Sequence, residues 1–156
     1  MQLSIQPVTK DNWRQLVKLK VRDDQTHFVA SNVYSIAESE FGQDELDGSH
    51  WDMYPFGIYD GDTPVGFLMY AYNFQYPDYQ AFIVRLMVDE NQQGKGYGKF
   101  GMLHMLDVFR QDERISNVGI SYEPDNDTAR KLYASLGFIE TGKVLEGEAE
   151  AVYKIR

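Results

Sequence analysis

Gln93-Gly94-Lys95-Gly96-Tyr97-Gly98 follows an apolar run, Phe82-Ile83-Val84-Arg85-Leu86-Met87-Val88, and leads into Met102, Met105, Leu106 and Phe109. The four apolar residues are spaced i, i+3, i+4, i+7, the period of one helix face. The order is therefore strand, glycine-rich turn, helix. Alternating glycines keep side chains away from a close ligand. Backbone N–H groups there can converge on an anion, helped by the positive end of the following helix dipole. Lys95 and Lys99 add full charges beside it. The stretch reads as a cradle for a diphosphate.

Three other readings compete. The stretch is also compatible with a plain glycine-rich turn. A P-loop needs G-x-x-x-x-G-K-[ST], but Gly98-Lys99 is followed by Phe100, which brings no hydroxyl to a magnesium ion. A dinucleotide fingerprint fits Gly96-Tyr97-Gly98-Lys99-Phe100-Gly101 by its letters, with Glu123 at a suitable distance for a ribose. That fingerprint closes directly on its strand, whereas the polar segment Asp89-Glu90-Asn91-Gln92-Gln93 intervenes here. Too little chain follows for a second nucleotide-binding half.

Working outward, Leu3–Pro7 reads as a strand, followed by a helix capped by Asp11 or Asn12 and running to about Val21. Ser35 is placed to cap a short helix over Ile36–Phe41. Residues 42–52 read as helical turns and acidic loop. Phe56–Tyr59, Val65–Tyr72 and Ala81–Val88 then form a meander, its first turn being Asp60-Gly61-Asp62. Past the glycine turn and its helix, Ile115–Tyr122 is β-rich. The helix between makes a right-handed parallel crossover onto Ala81–Val88 the expectation. Glu123 to Asp127 is a turn carrying an N-cap. Ala129, Leu132, Tyr133 and Leu136 share one helix face, and Gly137 ends that helix with Phe138 packed back on its last turn. Phe138–Leu145 and Ala149–Ile155 pair across Glu146-Gly147-Glu148. The fold class is α+β, a mixed sheet with helices on its faces, in one domain over residues 1–156.

Composition narrows the function. The chain has 156 residues, 43% of them hydrophobic and 14% aromatic, which is ample for a core. It has no cysteine, so disulfides, thiolate metal sites and cysteine nucleophiles are excluded. His27, His50 and His104 lack the H-x-x-x-H spacing of a metal pair, and no metal is expected. A net charge of −9 argues against nucleic acid or an anionic membrane as partner and is compatible with a cationic substrate. No apolar run is long enough to span a bilayer and the N-terminus carries no signal pattern, so a soluble cytoplasmic protein is the expectation.

Two motifs together resemble the GNAT superfamily of N-acetyltransferases over essentially the whole chain. One is Gln93-x-x-Gly96-x-Gly98 after a strand ending Leu86-Met87-Val88. The other is Asn126-x-x-Ala129-x-x-Leu132-Tyr133-x-x-x-Gly137-Phe138. Tyr59-x-Gly61-Asp62-x-Pro64-Val65-Gly66-Phe67 and Arg85-Leu86-Met87-Val88-Asp89 are most similar to the bacterial spermine/spermidine acetyltransferases. The resemblance implies a twisted, largely antiparallel sheet whose central parallel pair is splayed to admit coenzyme A. It implies acetyl-CoA as donor and a primary amine as acceptor. Leu86, Met87 and Val88 would pair with the pantetheine arm, Gln93, Gly94, Lys95, Gly96, Tyr97, Gly98 and Lys99 would hold the pyrophosphate, and Asn126 would bind the arm.

Amine attack on a thioester needs a neutral amine, a stabilised oxyanion and a protonated thiolate. A backbone N–H at a bulge near Met87–Val88 is placed for the oxyanion. The resemblance gives Tyr133 the protonation of sulfur, although its spacing also suits a core tyrosine. No acid stands in Val84-Arg85-Leu86, where some polyamine acetyltransferases carry one. Glu123 and Glu38 are left as candidate bases, or as solvated charge. Residues 31–52 and 76–79 are expected to supply the acceptor pocket, with Glu38, Trp51, Tyr79 and Glu123 as its candidate contacts. The expected activity is acetyl-CoA-dependent transfer to a polyamine in a ternary complex. The alternatives are another amine (a protein N-terminus or an aminoglycoside), a non-catalytic acyl-CoA-binding module, and a nicotinamide-binding fragment. A homodimer is the expected assembly.

Overall fold

The computed structural model describes residues 1–156. The chain runs β1 (Leu3–Pro7), α1 (Trp13–Val17), a 3-10 turn (Asp23–Gln25), α2 (Asn32–Phe41), β2 (Gln43–Asp44), β3 (His50–Asp60), β4 (Thr63–Tyr72), β5 (Ala81–Val88), α3 (Tyr97–Arg110), β6 (Asn117–Tyr122), α4 (Asp127–Leu136), β7 (Ile139–Leu145) and β8 (Glu148–Lys154). The sheet order is β1-β3-β4-β5-β6-β8-β7, with β2 appended to β3. All pairings are antiparallel except β5–β6.

That parallel pair positions the site. Ala81, Phe82 and Ile83 pair with Val118, Gly119 and Ile120, and there the pairing ends. Both strands continue, β5 to Val88 and β6 to Tyr122, but apart. The sheet therefore opens as a wedge between its two halves. β5 also carries one extra residue against β4: Met69 faces Arg85 while Tyr70 faces Ile83, leaving Val84 as a bulge. The bulge lies at Val84 rather than near Met87–Val88.

The two faces of the sheet bury different helices. Ile58, Leu68, Tyr70, Ile83 and Ile120 pack with Met102, Met105, Leu106 and Phe109 of α3 and Tyr133 of α4. Gly101 lets α3 approach closely, since a Cβ there would meet Ile58, Leu86 and Leu68 side chains at 3.2–3.4 Å. On the opposite face Phe67, Met69 and Met87 pack against Leu19, Val21, Val29 and Ile36 from the α1–α2 region. Beside them Trp51, Ala71 and Tyr79 form a second cluster with Tyr76 and Phe82.

Three local expectations are corrected. The first helix stops at Val17 rather than Val21. Asn12 spends its side chain on the Thr9 N–H and Pro7 carbonyl instead of the helix end, and past Val17 the chain is drawn to the β5–α3 connection, where Lys20 N–H donates to Asp89 and Lys20 accepts from Glu90 N–H. The second helix starts at Asn32, capped by Ser31, whose Oγ accepts from Tyr34 N–H at 3.2 Å; Ser35 lies inside it. Residues 42–52 supply β2 and the start of β3 rather than helical turns. No helix is long and apolar enough to cross a membrane.

Candidate active site

A cleft of about 1070 Å³ occupies the wedge. One wall is the C-terminal half of β5 with the glycine turn. The other is the end of β6, the start of α4 and the β7–β8 hairpin. Residues 21–30 lie against it.

The glycine turn is built as an open cradle. None of the seven amides from Gln93 to Lys99 donates a hydrogen bond within the protein; the first α3 N–H to do so is that of Phe100, to Gly96 O at 3.0 Å. Gly94 and Gly96 have φ of +79° and +89°, which only glycine adopts without strain, and a Cβ on either would meet nothing within 4 Å. Here glycine serves backbone conformation and leaves open space beside the amides, and internal packing does not require it. Unsatisfied amides at the start of a fourteen-residue helix fit a diphosphate, as does the αL geometry of Gly96. Gln93, Gly94, Gly96, Tyr97 and Gly98 line the cleft. The Tyr97 side chain turns away, its hydroxyl donating to Asp60 Oδ2 at 2.7 Å, so only its backbone is offered. Lys95 donates to Gln92, and neither its side chain nor that of Lys99 lines the cleft.

Leu86, Met87 and Val88 form the β5 wall. Beyond Ile83 the edge of β5 facing β6 has no strand against it, as a pantetheine arm acting as an added strand would need. The Val88 carbonyl is held by Gln93 Nε2 at 3.1 Å, and that of Val84 by Nη1 of Arg85 at 2.9 Å. Gln93 also exchanges hydrogen bonds with Gln25 at 2.9 and 3.3 Å, tying the 3-10 turn to the cradle.

Across the wedge, Asn126 caps α4 by accepting from Ala129 N–H at 3.2 Å, which leaves its amide N–H groups without a protein acceptor. Tyr133 is 8% exposed, lines the cleft, and its hydroxyl takes part in none of the protein's hydrogen bonds. Burial, with smaller contributions from Tyr122 and Glu148, pushes its phenol well above the ordinary value of 10. At neutral pH it therefore carries a proton it can donate. Tyr122 beside it donates to Glu140 at 2.7 Å, and Arg130 joins the same carboxylate at 2.9 Å, fixing α4 to the sheet. Burial and the Glu140 carboxylate push the Tyr122 phenol up to about 12.

The predicted acceptor residues scatter. Glu123 lines the cleft. Glu38 reaches it only indirectly: its Oε1 accepts from Arg85 Nη2 at 3.0 Å, and Arg85 lines the wall. Trp51 and Tyr79 lie elsewhere, in the buried aromatic cluster. Trp51 donates to Glu45 at 2.9 Å and Tyr79 to the buried Glu150 at 2.9 Å. The Tyr79 ring fills the space over Gly119, where a Cβ would strike it at 2.7 Å. The two aromatic residues expected at the pocket thus build core, and the segment 21–30 supplies cleft lining instead. Asp24, Gln25 and His27 of that segment, with Ser121, Glu146 and Glu148 opposite, are cleft residues that sequence reading missed. The Ser31-x-x-Tyr34 cap could have shown that α2 begins early and leaves 21–30 free to cross the site. No group of His, Asp or Glu side chains is arranged to hold a metal ion.

Comparison with known proteins agrees with this geometry. Residues 13–138 match the model of the acetyltransferase (GNAT) family. A spermine/spermidine N(1)-acetyltransferase of Bacillus subtilis is 25% identical over 151 residues, covering 92% of both chains. Among solved structures, spermidine N-acetyltransferase from Vibrio cholerae, in complex with CoA and spermine, superposes with a TM-score of 0.70 at 16% identity, covering 97% of this chain and 93% of that one. The PaiA N-acetyltransferase of Thermoplasma acidophilum, in complex with coenzyme A, gives 0.67 at 14% identity over 99% of both. At such identities the structural likeness speaks for the fold. With the family match, the open wedge and the free amides of the glycine turn, the chain belongs to the acetyltransferase (GNAT) family, with acetyl-CoA as its acetyl donor.

Proposed function

We propose that the protein acetylates a primary amine of a polyamine, spermine or spermidine, by direct attack in a ternary complex. The observation that carries this reading is the charge of the cleft. Asp24, Glu123, Asp125, Asp127, Glu146 and Glu148 line it, against Arg22 and Arg85. A flexible polycation is matched by carboxylates spread along its path, each worth little alone and more as a set. The polyamine-acetylating relative from Bacillus subtilis supports the same substrate class.

In this reading the amides of Gln93–Lys99 hold the pyrophosphate, the free edge of β5 and Asn126 align the arm, and Tyr133 protonates the departing sulfur. Arg85 and Glu38 neutralise each other at the wall and set its shape. Glu123 remains an acceptor contact, whereas Trp51 and Tyr79 act on the site only through packing. The enzyme works on a small molecule, in the cytoplasm, as a homodimer.

Steady-state turnover with acetyl-CoA and a panel of amines tests the substrate. Spermine and spermidine should exceed a peptide N-terminus and an aminoglycoside in kcat/KM. Equal or lower values would overturn the polyamine assignment and leave the acetyltransferase standing.

A further inference from the structure

We infer that Glu148 is the carboxylate that takes the proton from the incoming amine. The inference rests on the acetyl-transfer reading of the cleft and deepens it. Side-chain alternation places Tyr122, Ala149 and Ala151 on the α3–α4 face of the sheet, together with Tyr133. Ser121 and Glu148 stand on the opposite face, the side of Arg85 and of α2. Ser121 Oγ donates to Glu148 Oε1 at 2.8 Å, and both line the cleft.

The wedge thus has a proton donor on one face and an oriented carboxylate on the other. Glu148 forms no ion pair with any cation of the chain, so its charge is available to an ammonium group. Glu38 is committed to Arg85. Glu123 lies one step along the same wall, but no hydrogen bond within the protein orients its carboxylate. After burial and Tyr122, the Glu148 charge also contributes to raising the Tyr133 phenol.

The step balances as follows. The ammonium group passes one proton to Glu148. The freed lone pair forms the N–C bond to the acetyl carbonyl carbon. The C–S bond breaks with its electron pair on sulfur, which takes the Tyr133 proton. The surplus proton on the new amide nitrogen restores the phenol through solvent, and Glu148 returns its proton to bulk water.

The test is Glu148→Gln on the whole enzyme. At pH 7 kcat/KM for spermidine should fall by about a hundredfold or more. The deficit should shrink roughly tenfold per pH unit as the free amine becomes available without a base. Binding of spermidine to the enzyme–CoA complex, read by calorimetry, should weaken by about tenfold as an ammonium–carboxylate contact is lost. Affinity for CoA itself should be unchanged. A deficit of threefold or less, or one that stays constant with pH, overturns the inference. If the Gln variant fails to bind CoA, Glu148→Asp is read by the same pH criterion. A wild-type enzyme that acetylates no amine refutes the acetyl-transfer reading instead, so the two failures are distinguishable.

Discussion

Replacing Tyr133 by Phe separates what the hydroxyl does for catalysis from what it does for the fold. A typical buried hydrogen bond contributes about 1 kcal/mol net, and an unsatisfied partner costs more. The Tyr133 hydroxyl has no partner within the protein, so its removal breaks none. The ring remains packed on Tyr122 and Phe138, with centroids at 5.3 and 6.1 Å. The stability change should therefore lie within about 1 kcal/mol, or a Tm shift of roughly 2–4 °C at most for a chain of this size. Turnover should respond differently. Losing a positioned proton donor costs about 10²- to 10⁴-fold, and a hundredfold alone is about 2.7 kcal/mol of barrier. Thiol release gives kcat, calorimetry gives the CoA affinity, and thermal unfolding gives the stability. The expected pattern is a large loss of kcat with CoA affinity and Tm nearly unchanged. A kcat within threefold of wild type would falsify the assignment. A Tm drop of many degrees would show that the hydroxyl supports the core.

Three further outcomes are expected. Gly96→Ala places a side chain at φ +89° with open space around it, so the cost is conformational, about 1–2 kcal/mol, and CoA affinity should fall about tenfold as the amides turn; unchanged affinity measured by calorimetry would count against the cradle. Amides from Val84 to Val88 that face β6 should gain hydrogen-exchange protection when CoA binds, while those of β3 do not change. Asp60 is held below its ordinary value of 3.8 chiefly by the Tyr97 hydroxyl, and Glu140 below 4.5 chiefly by the Tyr122 hydroxyl and then Arg130. A depressed carboxylate contributes stability that is complete above its unfolded value and is lost as pH falls through the folded one. Melting temperature should therefore drop below about pH 4, and Asp60→Asn with Glu140→Gln should flatten that drop; an unchanged profile would refute it.

What was legible in the sequence was local. β5, the glycine turn, α3 and the helix between Asn126 and Gly137 follow from period, glycine and caps lying within a few residues of one another, and the structure returns them. The parallel crossover followed from the helix between two strands. What escaped was decided at long range. An aromatic ring that packs under a sheet is chemically the same as one that meets an ammonium ion, so Trp51 and Tyr79 read equally well as either. Arg85 finds Glu38 across 47 positions, and His27 meets Asp125 Oδ2 at 3.2 Å across 98, pairings that no periodicity announces. The length of α1 was misjudged because the helical spacing through Val21 persists where the backbone has already left for Asp89.

The extra residue in β5 has a consequence for how this strand tolerates change. Up to Ile83 its odd and even positions are phased to β6; from Arg85 onward they are phased to β4 and to whatever enters the wedge. Val84 is the splice between two reading frames. Deleting it would fuse the two frames into one regular ladder: Arg85 would follow Ile83 as Met69 precedes Tyr70, each side chain would keep its face, and the bend that the bulge gives the strand would be lost. Side chains on either half can be exchanged independently, and the extra residue between them sets how far the wall bends away from β6.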